Sequence, residues 1–213
     1  MRTVVKNIGW LATPQGNSAR KGEEQGQIQY LKDTYVVMEE GIITEVGPSG
    51  SSRDWAAGYR EEILDAQGRG VTPGLVDAHT HLVFAGWRQQ ELPLKLKGLS
   101  YLEILAQGGG ILHTVSHTRK ASKEELISQG LQSLQLMAAH GTTTCEVKSG
   151  YGLTVEAEIK CLETVEALRR LQPVELVATF MGAHALPGEF KNHREGYIRL
   201  VCEEMIPKAA PLS

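Results

Sequence analysis

Two histidines separated by a single residue, His79 and His81, sit in the apolar run "PGLVDAHTHLVFAG" between Pro73 and Gly86. Side chains at i and i+2 of a strand point to the same side, so the pair can present two imidazoles together. Neutral imidazoles suit Zn²⁺ or Fe²⁺, with further ligands supplied from elsewhere. A plainer account, two histidines satisfied by backbone hydrogen bonds, stays open for a bare His-x-His. Asp77, two residues before the pair, could orient one of them as an outer carboxylate. Four other residues carry chemistry further along. The guanidinium of Arg88 matches the two oxygens of a carboxylate, although a lone arginine also reads as a surface residue. Tyr151 lies in "SGYG", where Gly150 and Gly152 let the backbone come close to a ligand, as an ordinary turn would too. His184 follows a strand in "GAHA", and Tyr101 opens a helix as a weaker candidate for the same pocket. His113 and His117, at i and i+4, could chelate a metal on a helix but read better as solvent-facing, and Lys148 reads as an ion-pair or rim residue.

Around residue 70 the texture of the chain changes. Before it come short β-like runs, "GQIQYL", "TYVVME" and "GIITEVGP", with turns marked by Gly41 and by Gly47-Pro48, which predict a small β-sheet domain over residues 1–70. After it, apolar strands alternate with amphipathic helices, the pattern of a parallel sheet covered by helices. The predicted strands are "GLVDAHTHLVF", "TTTCEV" and "VELVATF". A helix in "SYLEILAQ" ends at the glycines Gly108 to Gly110. A second starts with the capping box Ser122/Glu125 and carries an apolar face of Leu126, Ile127, Leu131, Leu134 and Met137. A third opens with Thr154, Glu156 and Glu158, a charge order that complements the helix dipole, and a last one covers about Glu195 to Met205. The dinucleotide fingerprint GxGxxG between strand and helix is absent. His79, His81, Arg88, Lys148, Tyr151 and His184 all fall at or just past strand C-termini, the catalytic end of a (β/α)8 barrel, which favours a barrel over an open doubly wound sheet.

Composition narrows the classes. The 213 residues are 41% apolar and 22% charged, with a formal net charge of −3, which predicts neither a nucleic-acid footprint nor a membrane-surface patch. No apolar stretch approaches a membrane span, and the N-terminus lacks the apolar segment of a secretory signal. The three cysteines, Cys145, Cys161 and Cys202, form no CxxC pair. They read as core filler in a reducing, cytoplasmic compartment.

"TPGLVDAHTHL" resembles the first-strand motif of the amidohydrolase superfamily. Together, "HLVFAGWR", "LSYLEILAQGGGIL", "GTTTCEVKSGYGL" and "TFMGAHALP" are similar to the imidazolonepropionases, a family of histidine degradation, over most of the chain. The resemblance implies a (β/α)8 barrel beside a small β-sandwich and one divalent metal, Zn or Fe. It implies hydrolysis of the cyclic amide 4-imidazolone-5-propanoate to N-formimidoyl-L-glutamate, and it leaves open a homodimer for full-length members. It makes His79 and His81 metal ligands, Arg88 the holder of the substrate's propionate, and Tyr151, Tyr101 and His184 substrate contacts, with His184 also catalytic. A barrel takes roughly 250 residues, whereas 71–213 is 143 residues long. The expectation is therefore an N-terminal part of the β-sandwich over 1–70 and a first half-barrel over 71–213. The family's remaining ligands and general acid/base would lie outside this chain. A non-catalytic fragment or isoform, or another cyclic-amide hydrolase or deaminase of the superfamily, is the alternative.

Overall fold

A computed structural model describes residues 1–14, 16, 18–50 and 61–213, which form two compact units, Met1–Pro73 and Gly74–Ser213.

The first unit is built on β1 (Arg2–Pro14), which pairs antiparallel with β2 (Ile28–Glu39) on one side and parallel with β4 (Glu61–Asp65) and β5 (Gly70–Val71) on the other. β3 (Ile42–Pro48) closes the sheet as the partner of β2, giving the order β3-β2-β1-β4. The two-residue turn between β2 and β3 is Glu40-Gly41. Both residues have positive φ, 49° and 82°, the backbone twist that a tight hairpin requires and glycine supplies without strain. Two sequence expectations change here. "GQIQYL" and "TYVVME" fall largely in one strand, Ile28–Glu39, which runs on through Asp33 despite its φ of 48°. Gly47-Pro48 ends β3 instead of forming a turn, Pro48 pairing with Thr34. Val4, Tyr35 and Val37 form one buried cluster of this sheet, and Ile8, Leu11 and Val36 another.

The second unit is mixed α/β. Its sheet contains three parallel strands in the order β6 (Leu75–Thr80), β7 (Thr142–Lys148) and β8 (Glu175–Thr179). Between β6 and β7 run α1 (Glu91–Leu96), α2 (Tyr101–Ala106), α3 (Gly110–Lys120) and α4 (Lys123–Ala139), and α5 (Val155–Arg169) links β7 to β8. After β8, α6 (Arg194–Leu200) passes through a π-helical turn, Val201–Met205, into α7 (Ile206–Ala209).

Local chemistry accounts for the helix ends. Ser100 and Ser122 each close a reciprocal capping box, with Glu103 and Glu125, and Thr154 accepts from the Ala157 N–H. The main core is formed where Cys145 and Val147 of β7 and Leu176 and Ala178 of β8 meet Leu126 and Leu134 of α4 and Leu162, Val165 and Leu168 of α5. Alternate β7 residues Thr144, Glu146 and Lys148 leave that core and stay partly exposed, as strand periodicity requires.

Three further expectations need correction. The strand "GLVDAHTHLVF" stops at Thr80, so Leu82 and Val83 are buried in the core from a loop. The segment Gly110–Lys120, which opens on the last of the three glycines, is the helix α3, an element the sequence reading left unassigned. Cys202 is exposed, while Cys145 and Cys161 are buried as expected, and all three thiols are free. Among the described residues no helix is long and apolar enough to cross a membrane.

Candidate active site

Three loops at the C-terminal ends of β6, β7 and β8 converge within the second unit. The first carries His81 to Arg88. Ala85 N–H donates to the hydroxyl of buried Thr118 at 3.0 Å, and the Gln129 side-chain amide donates to the Phe84 carbonyl at 2.7 Å, so α3 and α4 both grip the loop. Buried Glu91 then holds the N-terminus of α3, accepting from Gly110 N–H at 2.6 Å. The second loop, residues 149–153, carries Tyr151. The third, after β8, carries His184.

A cavity of about 260 Å³ opens between the first two loops, lined by His81, Phe84, Gly86, Trp87, Arg88, Thr114 and Tyr151. It combines apolar rings, one guanidinium and one phenol, the mix of apolar wall and few polar groups that small-ligand sites show. His81 joins it to the third loop, since its ring stacks on His184 with centroids 4.5 Å apart and planes within 8°. Tyr151 lies 4.8 Å from His81 and 5.4 Å from His184, centroid to centroid. The Phe84 ring meets Tyr151 at 6.3 Å.

The electrostatics differ from one imidazole to the next. Burial, with the charge of neighbouring His184, pushes His81 down to about 4, so at pH 7 it is neutral, the form that can donate a lone pair. Its Nδ1 is buried and, among the described residues, has no hydrogen-bond partner. His184 is oriented by Nδ1 lying 3.2 Å from the Gly150 carbonyl oxygen. A carbonyl only accepts, so Nδ1 carries a proton, and in the uncharged form of the ring the lone pair lies on Nε2. Burial raises the Tyr151 phenol, with Arg88 opposing, so it stays protonated at neutral pH.

The expected residues are thus brought together unevenly. Arg88, Tyr151 and His81 line one cavity, and His184 stacks against it. His79 stands on β6, exposed, with its ring centroid 6.0 Å from that of His81. Tyr101 is half exposed on α2 and does not line the cavity. Asp77 accepts from the backbone N–H of His79 at 3.3 Å, a local contact that leaves the imidazole ring untouched. His113 and His117 do share a face of α3, ring centroids 4.1 Å apart, but His117 Nδ1 is committed to the His113 carbonyl at 2.8 Å. Lys148 is ion-paired with Glu146, whose carboxyl is held below its usual range first by that lysine and then by the Thr179 hydroxyl.

Sequence reading missed Phe84, Trp87 and Thr114 as cavity walls. Phe84 and Trp87 were within reach as aromatics flanking Arg88, whereas Thr114 had no local signal. As a metal site the cluster is a partial donor set. His79 and His81 offer two imidazoles, one with a free buried nitrogen, and a tetrahedral site needs more. Among the described residues no group of three or more His, Cys, Asp or Glu side chains is placed to hold a metal.

Comparison with known proteins places these features in context. No protein-family model matches the chain. It is 48% identical over 204 residues to an imidazolonepropionase of Alkaliphilus oremlandii, covering 95% of this chain and 48% of that protein. It is 53% identical over 174 residues to one of Treponema denticola, covering 82% and 42%, and 47% identical over 196 residues to one of Bacillus velezensis, covering 92% and 46%. The chain spans about half the length of the curated relatives it matches. Among solved structures, E. coli guanine deaminase has a similar fold at TM-score 0.58 and 17% identity, over 83% of this chain and 36% of that one. A variant atrazine chlorohydrolase of Arthrobacter aurescens, solved with zinc and atraton, follows at TM-score 0.53 and 17% identity, over 83% and 35%.

Proposed function

We propose that this chain, a relative of the imidazolonepropionases along nearly its whole length, carries the substrate-anchoring part of an amidohydrolase site that opens the ring of 4-imidazolone-5-propanoate. Its second unit is then the first half of a (β/α)8 barrel, and its first unit the N-terminal part of the accompanying β-sandwich. The observation that carries the reading is the cavity shared by His81, Arg88 and Tyr151 with His184 stacked on its wall.

Arg88 is the propionate anchor, because a guanidinium holds a carboxylate through two parallel charge-assisted bonds in a fixed orientation. Tyr151 and Phe84 flank the planar ring, and the Tyr151 hydroxyl, kept protonated, donates to it. The free Nε2 of His184 is suited to accept a proton and return it as the C–N bond breaks. Tyr101 is kept as an outer substrate contact. His79 and His81 would hold part of the coordination of one divalent metal, Zn or Fe, and the bound metal would supply hydroxide at neutral pH by acidifying its water. The other ligands would come from the remainder of the relatives' length. On its own the 213-residue chain is catalytically incomplete. In the intact assembly the partner is a small-molecule substrate, in a reducing cytoplasm that suits three free thiols.

The test is turnover of 4-imidazolone-5-propanoate by the chain alone and after co-expression with the remaining half of the Alkaliphilus relative. The chain alone should be inactive and should lose zinc on dialysis, and the assembly should turn over and retain it. His79→Ala with His81→Ala should abolish both properties. In the active assembly Arg88→Ala should raise KM by roughly 30-fold, about 2 kcal/mol, while leaving kcat within a fewfold. Equal activity with and without the two histidines would overturn the reading.

A further inference from the structure

Glu158 is a carboxylate with no exposure to solvent, on the first turn of α5. A buried charge is retained only where it is well bonded, and the scheme above gives this one no task. Its partners show one. Oε2 accepts from the Gly150 N–H at 3.0 Å, and Oε1 accepts from Gly152 and Leu153 N–H at 2.8 Å each. These amides belong to the loop of residues 149–153, outside any ladder or helix, where buried donors would otherwise go unmet.

The loop's carbonyls are met from the other side. Arg119 Nε donates to Gly152 O at 2.6 Å and its Nη2 to Leu153 O at 3.3 Å. This doubly held backbone is a strained one. Gly150 sits at φ 110°, and buried Leu153 sits at φ 55°, a left-handed conformation rare for a bulky residue. Glu156, in the same helical turn, is exposed and has none of these contacts, so the dipole of α5 alone does not explain Glu158.

We propose that Glu158 is a positioning residue of the substrate site. By gathering the amides on both sides of Tyr151, it fixes that ring against His81 and Phe84. It also fixes the Gly150 carbonyl as the acceptor that sets the tautomer of His184. The assignment rests on the functional reading above for its consequence, and on the loop geometry for its existence.

Two measurements test it separately. On the 213-residue chain, Glu158→Gln keeps the volume and one accepting oxygen but turns an amide N–H₂ towards one of the three donors. Hydrogen exchange at Gly150, Gly152 and Leu153 should speed up at least about tenfold. The NOEs linking the Tyr151 ring to His81 and Phe84 should disappear, while the exposed Glu156→Gln changes neither. In the assembly with the remaining half, Glu158→Gln should raise KM for 4-imidazolone-5-propanoate about tenfold with kcat within about threefold. The same substitution in a Tyr151→Ala background should add less than about twofold, because the two residues act through one contact.

Persisting ring contacts in Glu158→Gln would overturn the proposal. So would an unchanged KM, an additive double variant, or loss of the fold in Glu158→Gln by circular dichroism, which would make the residue purely architectural. If the wild-type assembly shows no turnover, the functional reading fails, and the ring contacts alone decide for or against Glu158.

Discussion

The loop of residues 149–153 and the strand β6 deliver the two ends of the same histidine–tyrosine cluster, yet they are finished to very different degrees. In the loop, three amides are met by Glu158 and two carbonyls by Arg119, and Leu153 at its end is fully buried. On β6, an edge strand among the described residues, Leu75 and Val76 are 57% and 67% exposed, His79 is exposed, and the pairing with β7 shifts register between Leu75 and Val76 and again across Asp77 to Thr80. An exposed apolar edge is normally covered or paired. The loop that carries Tyr151 is therefore tied down by buried side chains, whereas the strand that carries His79 leaves apolar residues exposed to solvent.

The contrast can be broken by substitution. Glu158→Ala should show the largest loss of stability, about 3 kcal/mol or more, because it orphans three buried donors at roughly 1 to 3 kcal/mol each. Urea unfolding of the second unit's helical signal would measure it, and a loss under about 1 kcal/mol would mean that the loop is less finished than its bonds imply. Gly150→Ala comes next. A Cβ there would lie 2.7 Å from the His184 Cβ and 2.8 Å from the Met181 carbonyl oxygen, at a φ that side chains avoid. A cost of roughly 2 kcal/mol is expected, together with loss of the His81–His184 ring contact by NMR. His79→Ala should be the mildest, within about 0.5 kcal/mol of the parent in the same unfolding experiment, since His79 is exposed on β6. A cost above 1 kcal/mol would show that β6 is already supported.

Much of this contrast could be read along the chain, but unequally. The capping boxes at Ser122 and the apolar face from Leu126 to Met137 were legible because a helix repeats every 3.6 residues and its cap is local. The same was true of β7 and β8 and of the loops that follow them. Arg88, Tyr151 and His184 stood out as chemistry-bearing residues at strand ends. The helix α3 was left unassigned, and its contacts are long-range: Thr114 and Thr118 bond the first loop, and Glu91, 19 residues before Gly110, accepts at its N-terminus. Glu158 was legible only as a first-turn acid. Helix-dipole chemistry predicts its sign, but not that its carboxylate turns away from solvent to serve a loop five to eight residues earlier.

The order of strands and helices, the two imidazoles two residues apart, and the identity of each polar group at a strand end follow from local periodicity and residue chemistry, which one chain in extended form already contains. Which of those groups meet depended on the fold. His81 and His184 are 103 positions apart, and they stack only because two parallel strands flank a third and release their loops at the same end. The neutrality of His81, the tautomer of His184 and the burial of Glu158 arise in the same way. Each is set by burial or by neighbours distant along the chain, and none exists until the tertiary structure has closed around them.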